Sequence, residues 1–290
     1  MSVKCPFCKS ENTMSYLELK DYFLSQEDFE IVKCNNCKLL FTSPRPDKSV
    51  IGNYYKSEDY LSHNEHKKGV VACIYNQVKK INVKTKFKIA TQGFLKPHLL
   101  DFGCGIGDFL HHAQQNGCDI TGCDMSEEAR KLASQKLKKT IATPEEIFAL
   151  PYPAFDVITM WHVLEHIDDL RFLTEQLYRL SKDNGRLVIA VPNYMSYDAQ
   201  YYKDKWAAYD VPRHLNHFHN ESLQNIFAGS FELEKIHPMK WDAFYISMMS
   251  EKYIGKGNAF FKGVLTGWKS NRKAKKNEEY SSLIYIFHKI

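Results

Sequence analysis

A chain of 290 residues that is 44% hydrophobic and 13% aromatic can fill a substantial core, as one large domain or one domain with a small appendage. Its net charge of +5 permits a polyanionic partner without demanding one, because nucleic-acid binders concentrate far more charge on one face. No apolar run of about 18 residues occurs and Met1–Cys5 has no signal-peptide core, so a soluble, cytoplasmic protein with no membrane span is expected.

From the N-terminus, Cys5-Pro6-Phe7-Cys8 and Cys34-Asn35-Asn36-Cys37 are separated by 25 residues. Each short loop can place two thiolates on one ion, and four complete the closed tetrahedral shell of structural zinc. Cys5, Cys8, Cys34 and Cys37 are therefore candidate metal ligands; redox Cys-x-x-Cys pairs are the alternative. The remaining cysteines, Cys73, Cys104, Cys118 and Cys123, read as small buried residues. Tyr16–Val32 supplies apolar residues for a hairpin, Leu39-Leu40-Phe41 a closing strand, and Ser43-Pro44-Arg45-Pro46-Asp47 a break. The whole resembles a zinc ribbon over residues 1–45. Residues 46–97 read as a linker with capping helices. They contain the tyrosine-rich stretch Tyr54–Tyr60, a helix through Val70–Val78, and five lysines in Lys79–Lys88 expected on a solvated face.

The core domain, 98–290, opens on Leu99-Leu100-Asp101-Phe102-Gly103-Cys104-Gly105-Ile106-Gly107-Asp108-Phe109, a strand, a glycine turn and a helix start. Dinucleotide sites space glycines as G-x-G-x-x-G and aim a helix N-terminus at a pyrophosphate. Here the third glycine falls one place early and Asp108 stands where that pattern wants glycine. Carboxylates at Asp101 and Asp108 disfavour a diphosphate and suit a ligand bearing ammonium and sulfonium charge, which points to S-adenosylmethionine (SAM). Asp124, after the run Cys118–Cys123, is placed to accept ribose hydroxyls. Strands are expected at 98–102, 119–123, 139–142, 155–160 and 185–191, with helices near 107–116, 126–137, 145–149, 168–182 and 221–228. Asp183-Asn184-Gly185 ends the fourth long helix. The alternation predicts a parallel sheet covered on both faces.

Together with Cys123-Asp124-Met125-Ser126, Ala154–Thr159 and His162-Val163-Leu164-Glu165-His166-Ile167, the glycine stretch resembles the class I SAM-dependent methyltransferases over about residues 95–290. The resemblance implies an α/β, Rossmann-like doubly wound sheet of seven strands whose last hairpin, Phe231–Trp241 with Ser281–Lys289, is antiparallel. It implies SAM contacts from Asp101, Phe102, Gly103, Cys104, Gly105, Asp124 and Met125, an adenine rim at Thr143 and Pro144, and cofactor contacts at Trp161 and His162. It also implies that segments before the first strand cap the cofactor.

His162 and His166, four apart, could pair on a metal, but Glu165 does not complete the H-E-x-x-H signature. His166 reads as a hydrogen-bonded pocket residue or an acid-base group. Substrate-side insertions are expected near 192–220 and 243–275. In the first, Asp210-Val211-Pro212-Arg213-His214-Leu215-Asn216-His217-Phe218-His219 resembles a pattern of methyltransferases carrying a zinc appendage. His214 and His217 are candidate bases, while Tyr209 and Arg213 are candidate substrate contacts, Arg213 for a phosphate. The second reads as a helical lid or self-association surface followed by a solvated run, Lys269–Lys276. The leading function is methyl transfer to a small molecule, a sugar or nucleotide-activated sugar first. An RNA methyltransferase gripping nucleic acid through the ribbon is the runner-up, and a non-catalytic SAM-binding or partner-binding protein a third reading.

Overall fold

The computed structural model describes residues 3–47, 49–55, 70–151, 153–255 and 257–290, with the backbone alone for 70–76. Of the sequence reading, Tyr60 and the side chain of Cys73 lie outside what is described. The elements run β1 (Thr13–Lys20), β2 (Asp28–Cys34), β3 (Leu40–Ser43), α1 (Val70–Thr91), β4 (His98–Phe102), α2 (Asp108–Gln115), β5 (Asp119–Cys123), α3 (Glu127–Leu137) and α4 (Pro144–Phe148). They continue through β6 (Phe155–Trp161), α5 (Leu170–Leu180), β7 (Ser181–Pro192), α6 (Tyr197–Tyr202), β8 (Asn216–His217), α7 (Asn220–Phe227), β9 (Phe231–Pro238), α8 (Asp242–Ile254), α9 (Ala259–Asn277) and β10 (Ser282–Lys289).

The main sheet has the order β5-β4-β6-β7-β10-β9. Strands β5, β4, β6 and β7 are parallel, and β10 runs antiparallel between β7 and β9. Neighbouring residues on one strand enter different cores, as the period of two requires. Leu100, Ile158 and Leu187 pack with Leu173 and Leu177 of α5 and Ile226 of α7. Leu99, Val157 and Val188 pack with Ala90 of α1, Leu110 of α2 and Ala133 of α3. Each fully buried leucine of this kind contributes roughly 1.5–3 kcal/mol of transfer free energy.

Six strands stand where seven were expected. The segment 139–142 touches the sheet through one parallel bridge, Cys123 to Ala142. Lys138 at φ 51° turns the chain out of α3, and Thr143 immediately leaves to cap α4, so no ladder develops. The fourth long helix also ends earlier than expected. α5 stops at Leu180, and Asp183-Asn184-Gly185 lies within β7, where left-handed Asn184 accompanies a register shift against β6.

A second sheet has the order β1-β2-β3-β8. β1 and β2 form the hairpin expected over Tyr16–Val32, β3 closes it, and β8 arrives from the far end of the chain to pair Leu40 with His217 and Phe41 with Asn216. Cys5, Val32, Cys34, Leu39 and Phe41 belong to the same core as one face of the main sheet. The break at Ser43–Asp47 is anchored: Arg45 donates to the Asp168 carboxylate, the Leu215 carbonyl and the Asn216 side chain.

Helices α8 and α9 pack side by side through small residues. A Cβ at Gly263 would lie 2.5 Å from Met248 Cα, and one at Gly267 would lie 2.8 Å from the Ala243 carbonyl oxygen. No described helix is long and apolar enough to cross a membrane.

Candidate active site

The glycine turn joins β4 to α2 and is tied to β5, since the Gly103 and Cys104 amides donate to the Cys123 carbonyl at 2.8 and 2.9 Å. Gly103 has φ +77°, and a Cβ there would stand 2.4 Å from Val163 Cγ2, so the position admits only glycine. Between this turn and α1 lies a cavity of about 380 Å³, lined by Asp101, Gly103, Cys104, Gly105, Lys86 and Trp161 among others. Asp101 is 1% exposed and accepts a 2.7 Å hydrogen bond from the Thr159 hydroxyl. Burial pushes its carboxyl up to about 7.

Lys86 corrects the expectation of a solvated lysine run. Its ammonium lies 4.7 Å from the centre of the Trp161 ring, and burial pulls its pKa down while the charges of Asp242 and Asp101 oppose that. Lys79, Asn82, Val83 and Lys86 line the cavity at helical spacing, so one face of α1 is turned inward. Asp108 needs a second correction. It lines the same cavity, but Lys79 at 2.5 Å and Lys136 at 2.7 Å pair with it, so its charge is compensated within the protein.

The other cofactor candidates surround this cavity without lining it. Asp124 accepts the Gly105 amide at 2.8 Å and the Ser126 amide at 2.9 Å. Met125 is 76% exposed. Thr143 and Glu146 form a reciprocal cap with Pro144 in the first turn of α4. Phe102 stacks on Phe148 in the core at 5.7 Å, so its side chain faces away from the turn.

Beyond the end of β6 five ionisable side chains gather. His162, with φ +57°, places Nε2 3.2 Å from Asp242 and Nδ1 3.4 Å from Glu165. Burial alone would depress its pKa, but the two carboxylates raise it to about 9. Glu165 is 1% exposed, and neither of its oxygens has a hydrogen-bond partner among the described residues. The ligand atoms of Glu165, His166 and His214 lie within 4.8 Å of one another. His166 Nδ1 is 3.0 Å from the Arg213 carbonyl, and His214 Nδ1 is 2.8 Å from the Ala208 carbonyl. A carbonyl only accepts, so each Nδ1 carries a proton; in its neutral form His166 keeps Nε2 as a proton acceptor, while His214 Nε2 lies 4.0 Å from Asp210 Oδ2. Burial lowers the His166 pKa and so favours that neutral form.

Three substrate-side candidates are buried. His217 is 4% exposed and its Nε2 lies 3.0 Å from Thr42 Oγ1, whose hydroxyl donates to the His214 carbonyl. It supports the His214 backbone through Thr42. Tyr209 is 2% exposed, with its ring against Trp206 and His217. Arg213 is 1% exposed and donates to Asp21, Asp210 and the Tyr54 carbonyl, so its guanidinium is an internal cross-link with no open side for a phosphate. Lys86, Glu165 and Asp242 were missed as site residues. The inward register of α1 is the available signal for Lys86, while Glu165 stands in the family motif His162–Ile167 with no role assigned to it.

In the cysteine cluster Cys5 Sγ and Cys37 Sγ are 3.5 Å apart and Cys8 Sγ and Cys34 Sγ 3.4 Å apart, with all four sulfurs within 4.8 Å of one another. Bonds of about 2.3 Å to one tetrahedral ion set ligand separations near 3.8 Å, so this donor set fits zinc.

The sequence profile of the family described as "Methyltransferase domain" matches residues 77–235, which include the glycine turn, Asp124 and the histidine cluster. The chain belongs to that family. Among similar proteins are a malonyl-[acyl-carrier protein] O-methyltransferase of Enterobacter lignolyticus, 27% identical over 45% of this chain and 53% of that protein, and a ubiquinone biosynthesis O-methyltransferase of Psychrobacter cryohalolentis, 30% identical over 37% of this chain and 45% of that protein. The chain spans about half the length of the curated relatives it matches. Magnesium protoporphyrin IX methyltransferase of Synechocystis PCC 6803 with bound S-adenosylhomocysteine shares the fold at a TM-score of 0.54 and 16% identity, over 84% of this chain and all of that one. The glycine turn and the four parallel strands of the main sheet lie within the residues matched to this methyltransferase family, whose cofactor is SAM.

Proposed function

We propose that this methyltransferase transfers the methyl group of SAM to a hydroxyl of a small-molecule acceptor, with His214 or His166 accepting the proton. Bound SAM supplies a methyl group already activated on sulfonium, so the protein's share of the chemistry is positioning and proton removal. Asp101 holds a buried negative charge for the ammonium end of the ligand, and Asp124 stands behind the turn for ribose hydroxyls. The observation that carries the reading is the pair of histidines, His166 and His214, whose Nδ1 atoms are fixed on carbonyls and whose rings cluster with a buried Glu165. Glu165 favours the imidazolium formed after proton transfer.

The names of the two relatives support an oxygen acceptor. Within that class we favour a sugar or sugar nucleotide, although Arg213 supplies no phosphate anchor. Four converging thiols support a structural zinc at Cys5, Cys8, Cys34 and Cys37. A hydroxylated acceptor panel scored by S-adenosylhomocysteine release tests the function. The expected result is turnover that His214→Ala with His166→Ala abolishes while SAM affinity persists; undiminished turnover in that variant refutes the histidine base.

A further inference from the structure

Helix α9 is built inside out. Its buried side is Gly263, Thr266, Gly267, Ser270 and Ala274, and its outward side carries Phe260, Phe261, Leu265 and Trp268 at 55, 69, 51 and 50% exposure. Phe261, Val264, Leu265 and Trp268 follow the i, i+3, i+4, i+7 spacing of a single stripe. Lys262, Lys269, Lys273 and Lys276 run beside it at i, i+7, i+11 and i+14. Between Lys252 and Asn277 the sequence has eight basic residues and no acidic one. The contacts of Gly263 and Gly267 with the α8 backbone prevent the helix from rolling its aromatic side inward.

We propose that this face of α9 docks on an anionic lipid bilayer. An apolar stripe flanked by lysines matches the headgroup boundary, where aromatic and leucine side chains insert and ammonium groups meet phosphates. A second copy of the chain would bring the same positive flank against itself, which the charge opposes. A soluble acidic partner would satisfy the lysines but gives no reason for four large apolar side chains on the crown. The helix also borders the site, because α8, on which it packs, begins at the Asp242 that holds His162.

The test uses the full chain and sedimentation with vesicles of phosphatidylcholine, alone or mixed with phosphatidylglycerol. Partition at least about tenfold stronger onto the anionic vesicles is expected, weakening with added salt. Leu265→Ser with Trp268→Ser, and separately Lys269→Glu with Lys273→Glu, should each reduce it by about tenfold or more. Blue-shifted emission on binding should disappear in Trp268→Phe. Absence of partition, or variants that bind like the unmodified chain, overturns the proposal. So does a dimer that the Leu265/Trp268 variant dissociates in the absence of lipid, since a second copy would then cover the face. No readout depends on turnover, so failure here is distinct from failure of the methyl-transfer reading.

Discussion

Replacing Arg213 by methionine removes a cation that two carboxylates and a backbone carbonyl surround. Its guanidinium lies 2.8 Å from Asp21, 2.8 Å from Asp210 and 3.1 Å from the Tyr54 carbonyl, and Asp21 itself has no exposed side-chain surface. Methionine fills much of the volume but leaves the Asp21 carboxylate buried on three backbone amides, those of Phe23, Leu24 and Ser25. Breaking a buried pair from one side costs about 3–5 kcal/mol, because the remaining charge stays desolvated. At ~2–4 °C per kcal/mol this corresponds to a loss of roughly 6–20 °C in Tm. Adding Asp21→Asn should restore a substantial part of the loss, and Arg213→Lys should fall between, since an ammonium cannot bridge both acids with the same fork. Differential scanning calorimetry checks the series. A Tm within about 2 °C of the parent, coupled to a raised KM for the acceptor, would refute the internal cross-link and return Arg213 to the substrate.

Asp101→Asn should weaken SAM binding by about tenfold or more in titration calorimetry, the scale of one lost charge-assisted hydrogen bond. With the Asp101 carboxyl near 7, SAM affinity of the unmodified protein should fall as pH drops from about 8 to about 6. His162, raised to about 9, stabilises the fold fully below its ordinary value near 6.5, and this contribution is lost as pH rises through about 9. Urea midpoints measured across that window should fall for the parent and less for His162→Gln. Metal analysis should find one zinc per chain, lost in Cys37→Ser together with a lowered unfolding temperature.

The sheet and the glycine turn were legible because both are local. Alternating apolar runs, a turn that demands positive φ and a capping serine are written in consecutive residues. Partnerships formed across the fold were not. Asp108 stood out as a free carboxylate, and nothing beside it in sequence announced that Lys79 and Lys136 would meet there. Arg213 and His217 belonged to a polar motif, yet burial against Asp21 and Thr42, far away in the chain, turned both into structural groups. Lys86 was hidden in a charge run whose average character is exposed while one register faces the cavity. His214 and His166 were legible as candidate bases, but which ring nitrogen carries the proton depends on carbonyls from 208 and 213.

Strand β8 gives the cysteine module an unusual stake in the chemistry. Asn216 and His217 complete its sheet, and Thr42 on its closing strand holds the backbone of His214. Disorder at the four thiols would thus be felt as slackness under His214. A graft of residues from 48 onward onto some other appendage would inherit that histidine on an unmoored ribbon, so the two ends of this polypeptide can be exchanged only as a matched set.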